Sequence, residues 1–582
     1  MSFKANYDKF PHVLVEHENL SCILGWDAVI KQVNEEIASG KKLVVIECYQ
    51  GVLDEEVRAH FRKGVKFDVW IDAEDGFKSE ADILQMTYPD VTDDRIFGYI
   101  TRLNIEDYLD EHKISRLKEK IAVSDGVVVV YGTGASLIAP KNGLLIYADM
   151  ARWEIQLRMR KKEVHNIGIK NSDEEFSIQY KRAFFVDWRA CDRLKKKLFN
   201  KIDYWLDTNK ANEPKLIKGS AILAGMQKAV TRPFRVVPFF DPGPWGGQWM
   251  KEVCDLDRSV VNYAWCFDCV PEENSLLLRF GDIDVEIPSI NVVFYQTDAL
   301  IGPKVHSRFG DEFPIRFDFL DTIKGGNLSL QVHPLTEYIQ EKFGMHYTQD
   351  ESYYFLDVDG EADVYLGLKE NIDPEEMLAD LRAAERGEKL FDDEKFVKKW
   401  PVKKHDHVSI PSGTVHCSGA GGMVLEISAT PYIFTFKLWD WGRLGMDGKP
   451  RPINIEHGKN VIQWDRTETW VEDNALNLVE DIAFGDDWYE ERTGLNELEF
   501  IETRRHWFTG EVLHNTDGIV NVLNLVEGRE VIVESPTNAF EPYVIHYAET
   551  FIVPAAVGEY TIRPHGESEG TECATLKAYV RV

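Results

Sequence analysis

The chain has 582 residues, and 67 Lys and Arg against 98 Asp and Glu leave a formal net charge of −31. That balance excludes a general nucleic-acid binder, which needs a basic footprint to displace counterions, and it excludes electrostatic docking on anionic lipid. No stretch approaches the roughly 20 apolar residues of a membrane-spanning helix, and 8 Cys scattered over the whole length point to free thiols in a reducing, cytoplasmic setting rather than a disulfide scaffold.

The opening residues carry no charged-then-apolar leader pattern. Residues 1–220 read as an α/β domain. A helical stretch at 26–39 precedes the apolar run KLVVIE at 42–47, the loop CYQGV at 48–52 and a second helical run from Asp54. DGVVVVY at 125–131 is another buried-strand signal and ends in the turn GTGA at 132–135. LLIY at 144–147 is a third, followed by a helix expected over 149–164. Short apolar strands alternating with helices predict a parallel sheet covered on both faces. The basic run Arg158, Arg160, Lys161, Lys162 reads as a solvated helix face, and GTGA as a plain turn.

At 239–248 the turn-rich FFDPGPWGGQ marks a change of texture. From there, short strand-like runs separated by Gly, Pro and Asp predict β-sandwich or barrel structure. CFDC at 266–269 is a lone C-x-x-C and reads as two buried thiols. One helical insert is expected over 371–400, with Asp373 as N-cap and Pro374 at the first helical position. The tail again carries strand signals, such as IVNVL at 519–523 and TFIV at 550–553. The expected domains are therefore 1–220, a central β domain at 221–458, and a C-terminal β domain at 459–582.

The chemistry-bearing residues lie in the central domain. In LSLQVHP, at 328–334, Gln331 and His333 point to one face of a strand because side chains alternate. Glu351 opens a second strand-like run, ESYYFL. HVSIPSGTVH at 407–416 reads as strand, tight turn and an inward His416. Two imidazoles, a carboxylate and an amide oxygen form a borderline-hard donor set suited to Zn²⁺, with room for a substrate oxygen.

These motifs carry a family resemblance. WGG at 245–247, FPIRFDFLD at 313–321, LSLQVHP, PSGTVH at 411–416, LEI at 425–427, and LWDWGR at 438–443 with DGKPR at 447–451 resemble class I zinc-dependent mannose-6-phosphate isomerases, which are cupin-type β proteins. The resemblance implies Gln331, His333, Glu351 and His416 as zinc ligands. It further implies Arg443 as a catalytic-site arginine; Lys437 is a second catalytic candidate, and Ser329, Gln349, Lys449 and Arg451 are candidate substrate contacts. The expected activity is isomerisation of a sugar phosphate, by default mannose 6-phosphate to fructose 6-phosphate. The alternative is a sugar-phosphate-binding regulatory protein with little turnover. The expected partner is the small-molecule substrate, with a homo-oligomer allowed. Gln349 stands where the family has Lys, Asn454 where it has His, and Lys437 where it has Arg. On that reading Gln349→Lys is expected to raise turnover.

The N-terminal domain resembles P-loop nucleoside and small-molecule kinases through strand, loop and helix at 42–60 and through YADMARWEIQLRMR at 147–160. CYQGV lacks the lysine and hydroxyl of a phosphate loop. A degenerate domain without phosphoryl transfer is expected.

Overall fold

The computed structural model describes residues 5–16, 22–429, 434–446, 448, 450–494, 497 and 499–582. The chain is multidomain and divides into two compact units. The first comprises His12–Lys228 and Ser275–Tyr295; the second comprises Met1–Pro11, Ala229–Asn274 and Gln296–Val582. The chain passes from the first unit to the second after Lys228. Residues 275–295 then return to the first unit, while 296–458 and 459–582 fall together in the second.

The first unit is α/β. Helix α1 (Trp26–Ala38) precedes strand β1 (Leu43–Cys48), helix α2 (Asp54–Gly64) and strand β2 (Val69–Asp72). Strands β3 (Val128–Gly132) and β4 (Leu144–Asp149), helix α3 (Arg152–Arg160) and strand β5 (Tyr204–Asp207) follow. The five strands are parallel in the order β2-β3-β1-β4-β5, and Lys215–Lys218 and Ile23–Leu24 extend the sheet antiparallel. All six residues of β4 and five of the six in β1 are buried, as expected for a sheet covered on both faces. A hairpin of Ser275–Phe280 and Ile283–Pro288 belongs to this unit and pairs in parallel with His12–Leu14.

Helix α3 is shorter than expected, and its basic run is not simply a solvated face. Arg158 is 1% exposed. Its guanidinium donates to the carbonyls of Gly51 (2.9 Å), Thr208 (2.6 Å) and Asn209 (3.1 Å) and pairs with Glu154. Arginine's five donors let one buried cation satisfy several loop carbonyls at once.

The second unit is mostly β. Its central part contains β6 (Arg316–Asp321), β7 (Leu330–Val332), β8 (Glu351–Val358), β9 (His416–Ser418), β10 (Gly422–Ser428) and β11 (Phe436–Trp439). A six-stranded antiparallel sheet runs His407–Ile410, β8, β10, β6, Trp265–Cys269, Phe239–Asp241. A five-stranded antiparallel sheet runs Val397–Val402, Ala362–Leu368, β9, β7, β11. The insert holds the helix Pro374–Glu385, whose N-cap Asp373 accepts from the Glu375 amide (2.9 Å). It does not stay helical to residue 400: Val397–Val402 is an edge strand. Pro401 lacks the amide a helix interior needs, and Trp400 donates its indole N–H to the Leu366 carbonyl (3.0 Å). Cys266 and Cys269 are buried free thiols, pushed up by burial.

Residues 479–582 form two further antiparallel sheets around a core that includes Leu523, Leu525, Val531, Phe551 and Ile562. The expected strands appear as Asn521–Glu527 and Thr550–Val553. An ion pair ties this layer to the central sheets: Glu527 meets His405 Nε2 at 3.1 Å and Lys404 Nζ at 2.5 Å. The His405 hydrogen bond, then Lys404, holds the Glu527 carboxyl down at about 2. A depressed carboxyl contributes stability above its unfolded value of about 4.3 and loses it as pH falls through the folded value. Glu527→Gln should therefore destabilise modestly at pH 6, since the pair is about one-third exposed. The difference from the unsubstituted protein should shrink steadily below pH 4. Equal thermal midpoints at pH 6 would remove the pair from the account.

Among the described residues no helix is long and apolar enough to cross a membrane.

Candidate metal centre and its cavity

Three side chains converge between the two central sheets. His333 follows β7, Glu351 opens β8, and His416 opens β9. The ligand atoms of the three lie within 4.8 Å of one another, and all three residues are buried. Glu351 Oε1 lies 3.1 Å from His333 Nε2 and 2.8 Å from His416 Nε2. Gln331, the register partner of His416, places its amide nitrogen 3.2 Å from His416 Nε2. Rotating the amide by half a turn about its last bond would present the oxygen at the same point.

The outer contacts fix which imidazole nitrogens face inward. His333 Nδ1 is 2.8 Å from the Phe434 carbonyl, and His416 Nδ1 is 2.8 Å from the Thr414 carbonyl. A carbonyl only accepts, so each Nδ1 carries a proton and each Nε2 is the nitrogen turned to the site, free to offer its lone pair to a cation. His333 Nε2 and Glu351 Oε1 are buried without a hydrogen-bond partner. Lone pairs and a carboxylate converging in a dry site need a positive charge among them. Burial opposes charge on both groups, yet the pair holds Glu351 well below the usual carboxylate range and raises His333. The donor set fits a divalent cation of borderline hardness.

A cavity of about 260 Å³ adjoins the centre at Gln331 and Gln349. Ser329, Lys437 and Arg451 line it, and Lys437 stands in register with Gln331. Burial, and then the neighbouring Arg451, pushes the Lys437 ammonium down to about 7. Arg451 donates to Ser329 Oγ (2.9 Å) and to Asp440 (3.1 and 3.2 Å). Arg443 does not line this cavity; it forks onto Asp440 Oδ1 at 3.1 and 2.8 Å. Lys449 lies outside the described residues.

Three charged residues on the cavity wall escaped sequence reasoning: Arg316 and Asp318 on β6, and Glu426 on β10. Asp318 and Glu426 are register partners, and Arg316 pairs with Asp318. Desolvation raises both carboxyls, Asp318 to about 6. The available signal was charge at alternating positions in FPIRFDFLD, an apolar run that otherwise reads as core.

Residues 25–231 match a family described as a domain of unknown function, DUF8485. A mannose-6-phosphate isomerase of Bacillus subtilis, ManA, is 32% identical over 154 residues, which is 26% of this chain and 45% of the relative. A mannose-6-phosphate isomerase of Streptococcus mutans is 31% identical over 220 residues, 38% of this chain and 64% of the relative. The chain thus spans about half to two thirds of the length of these curated relatives. The solved mannose 6-phosphate isomerase of Bacillus subtilis aligns over 60% of this chain and 100% of its own, at 17% identity and a TM-score of 0.48.

Gln349 has a definite place at the centre. Its amide nitrogen donates to Glu351 Oε2 at 2.9 Å, and its carbonyl oxygen accepts the Phe434 N–H at 3.1 Å. Phe434 in turn accepts from His333 Nδ1. One amide therefore steadies two candidate ligands. Lysine has no acceptor for the Phe434 N–H and places a second cation beside Glu351. The expectation from the sequence concerns turnover; for the centre itself the geometry predicts that Gln349→Lys weakens metal binding by roughly 10- to 100-fold, the usual cost of losing an outer-shell partner. Competition with a chromogenic chelator measures it, and unchanged affinity would remove Gln349 from the supports of the centre.

Proposed function

We propose that the second unit is a zinc-dependent aldose–ketose isomerase of cupin type, acting on a sugar phosphate, by default mannose 6-phosphate to fructose 6-phosphate. The observation that carries this reading is the convergence of His333, Glu351 and His416 beside a cavity lined by Lys437 and Arg451. Gln331, His333, Glu351 and His416 would hold the metal. When bound, zinc polarises a carbonyl and stabilises negative charge on substrate oxygen.

The chain's own groups supply the rest. Lys437, poised near neutrality, is suited to accept a proton at one carbon and return it at the next. Arg451 is the cavity's candidate for the phosphate, because guanidinium forks onto oxyanions. Ser329 and Asp440 fix its position, and Arg443, sharing Asp440, completes the cationic cluster. The two sheets exclude bulk water from the centre.

Zinc-loaded protein in D₂O, followed by ¹H NMR with mannose 6-phosphate and other aldose phosphates, tests this. Ketose formation with deuterium uptake at C2 of recovered aldose is the expected result. Binding without turnover of any aldose phosphate would favour the regulatory reading. The uncharged Gln349 amide, already engaged on both sides, supports that second reading because it cannot carry a proton.

The first unit is proposed as a degenerate, P-loop-kinase-like domain. Its strand order, with β1 central, supports this, as does the missing lysine in CYQGV. No phosphoryl transfer from ATP is expected. The protein is placed in the cytoplasm, and a homo-oligomer is allowed.

A further inference from the structure

We propose that the first unit binds an unphosphorylated polyhydroxylated ring compound, of the free-sugar class, in the crevice at the carboxyl ends of β1 and β3. This site is separate from the metal centre and does not depend on the isomerase reading.

The crevice encloses about 670 Å³, within the roughly 300–1,000 Å³ of small-molecule sites. Its walls are the loop that follows β1, the first turn of α2, the end of β3 and residues 163–170. The chain leaves β1 toward β2 and β3 on one side and returns to β4 on the other. In open parallel sheets ligands sit outside the carboxyl ends of the strands at such a reversal.

Each position that would receive a phosphate is already taken or reversed in sign. The amides of Gly134 and Ser136, in the turn after β3, donate at 2.6 and 2.7 Å to the two oxygens of Glu47. Glu47 is 1% exposed, and its two carboxyl oxygens already occupy the amides that would hold a phosphate there. The positive end of α2 carries Asp54, Glu55 and Glu56 in its first turn, which already satisfy its preference for negative charge. Arg158, the buried cation beneath the loop, is spent on the Gly51, Thr208 and Asn209 carbonyls.

The wall charges point the same way. Asp54, Glu55, Glu74, Glu80 and Glu163 outnumber Arg58, Lys78 and Lys170. Arg58 is held by Glu55, Asp72 and Glu74 at 3.0, 3.1 and 3.1 Å, and Lys78 Nζ donates to the Asp107 carbonyl at 2.7 Å. A phosphate dianion would enter a space with acidic excess and with Arg58 and Lys78 already engaged. Hydroxyl groups meet no such penalty. They donate to carboxylates, a charge-assisted bond stronger than a neutral one, and Phe77 gives an apolar wall for the C–H face of a ring. The internal pairs leave only a mild negative excess, which favours a hydroxylated neutral ligand over a polycation.

Hydrogen–deuterium exchange on the full-length protein both detects and locates binding. The probes are a panel of free hexoses, pentoses and disaccharides, compared with mannose 6-phosphate, Mg·ATP and spermidine. At least one free sugar should protect peptides covering 49–58 and 163–170, while the phosphates leave them unprotected. Protection at the metal centre reports on the other reading separately. Glu163→Gln and Glu55→Gln should each weaken the sugar roughly tenfold, the scale of one hydrogen bond to a charged group. Stronger protection of these peptides by ATP or a sugar phosphate would overturn the proposal. So would protection by spermidine alone, by no member of the panel, or unchanged affinity in both folded variants.

Discussion

On the zinc reading proposed above, zinc content should fall from about one ion per chain to none in His333→Ala and in His416→Ala, because zinc sites take three or four protein donors and each variant removes one of the two imidazoles of this cluster. The loss should be visible in the folded protein before any assay. Both imidazoles contact the same Glu351 oxygen, and all three side chains are fully buried. Removing one leaves a buried carboxylate with half its compensation, which costs about 3 kcal/mol when a buried pair is broken. Each variant should therefore unfold earlier than the metal-free unsubstituted protein as well as fail to load. Metal analysis and thermal melts with and without chelator separate the two effects. Full zinc occupancy in both variants would remove these histidines from the ligand set.

Arg235→Met should be the most destabilising single change outside that centre. Arg235 is buried and pairs with Glu549 at 2.8 Å and Asp268 at 3.5 Å. It also donates to the carbonyls of Asp8 (2.9 Å) and Thr550 (3.2 Å), and its guanidinium lies over the Tyr7 ring. One cation thus joins four chain segments distant in sequence. Methionine matches its length but strands two buried carboxylates, at a cost of about 3–5 kcal/mol. The midpoint should fall by roughly 10 °C at the usual conversion for large domains. Adding Glu549→Gln should cost less than the two single changes summed, because the partners share one network. A midpoint within about 1 °C of the unsubstituted protein would show the network to be dispensable.

Local signals were readable where one element decides its own form. KLVVIE and DGVVVVY are too short and apolar for anything but buried strands, and both lie in the parallel sheet. Asp373 with Pro374 fixed a helix start to the residue. Q-x-H, Glu and P-x-G-x-x-H carried the convergence of His333, Glu351 and His416 because alternation puts Gln331 and His333 on one face, and the turn at Gly413 (φ +87°) returns His416 toward them. What escaped was set by distant chain. Arg158 is basic and helical, which locally means solvent; only the carbonyls of Gly51, Thr208 and Asn209 make it a buried clamp. Gln349 looked like a lost lysine until Phe434 and Glu351 stood on either side of it. The cavity position of Arg316 and Glu426 follows from sheet pairing, which no local pattern encodes.

The hairpin Ser275–Pro288 and the segment to Tyr295 complete the first unit only after 46 residues of the second unit, Ala229–Asn274, have been made. On a ribosome, the α/β unit therefore waits for its last pieces while the intervening chain emerges. At about 5–20 residues per second, the stretch from Lys228 to Tyr295 takes several seconds. During that time Leu277, Leu278 and their strand partners are missing from the edge that holds His12–Leu14. The order of synthesis thus differs from the order of assembly. A gene fragment ending at residue 228 would yield a unit permanently short of two strands, so the α/β unit cannot be isolated by a single cut in the chain.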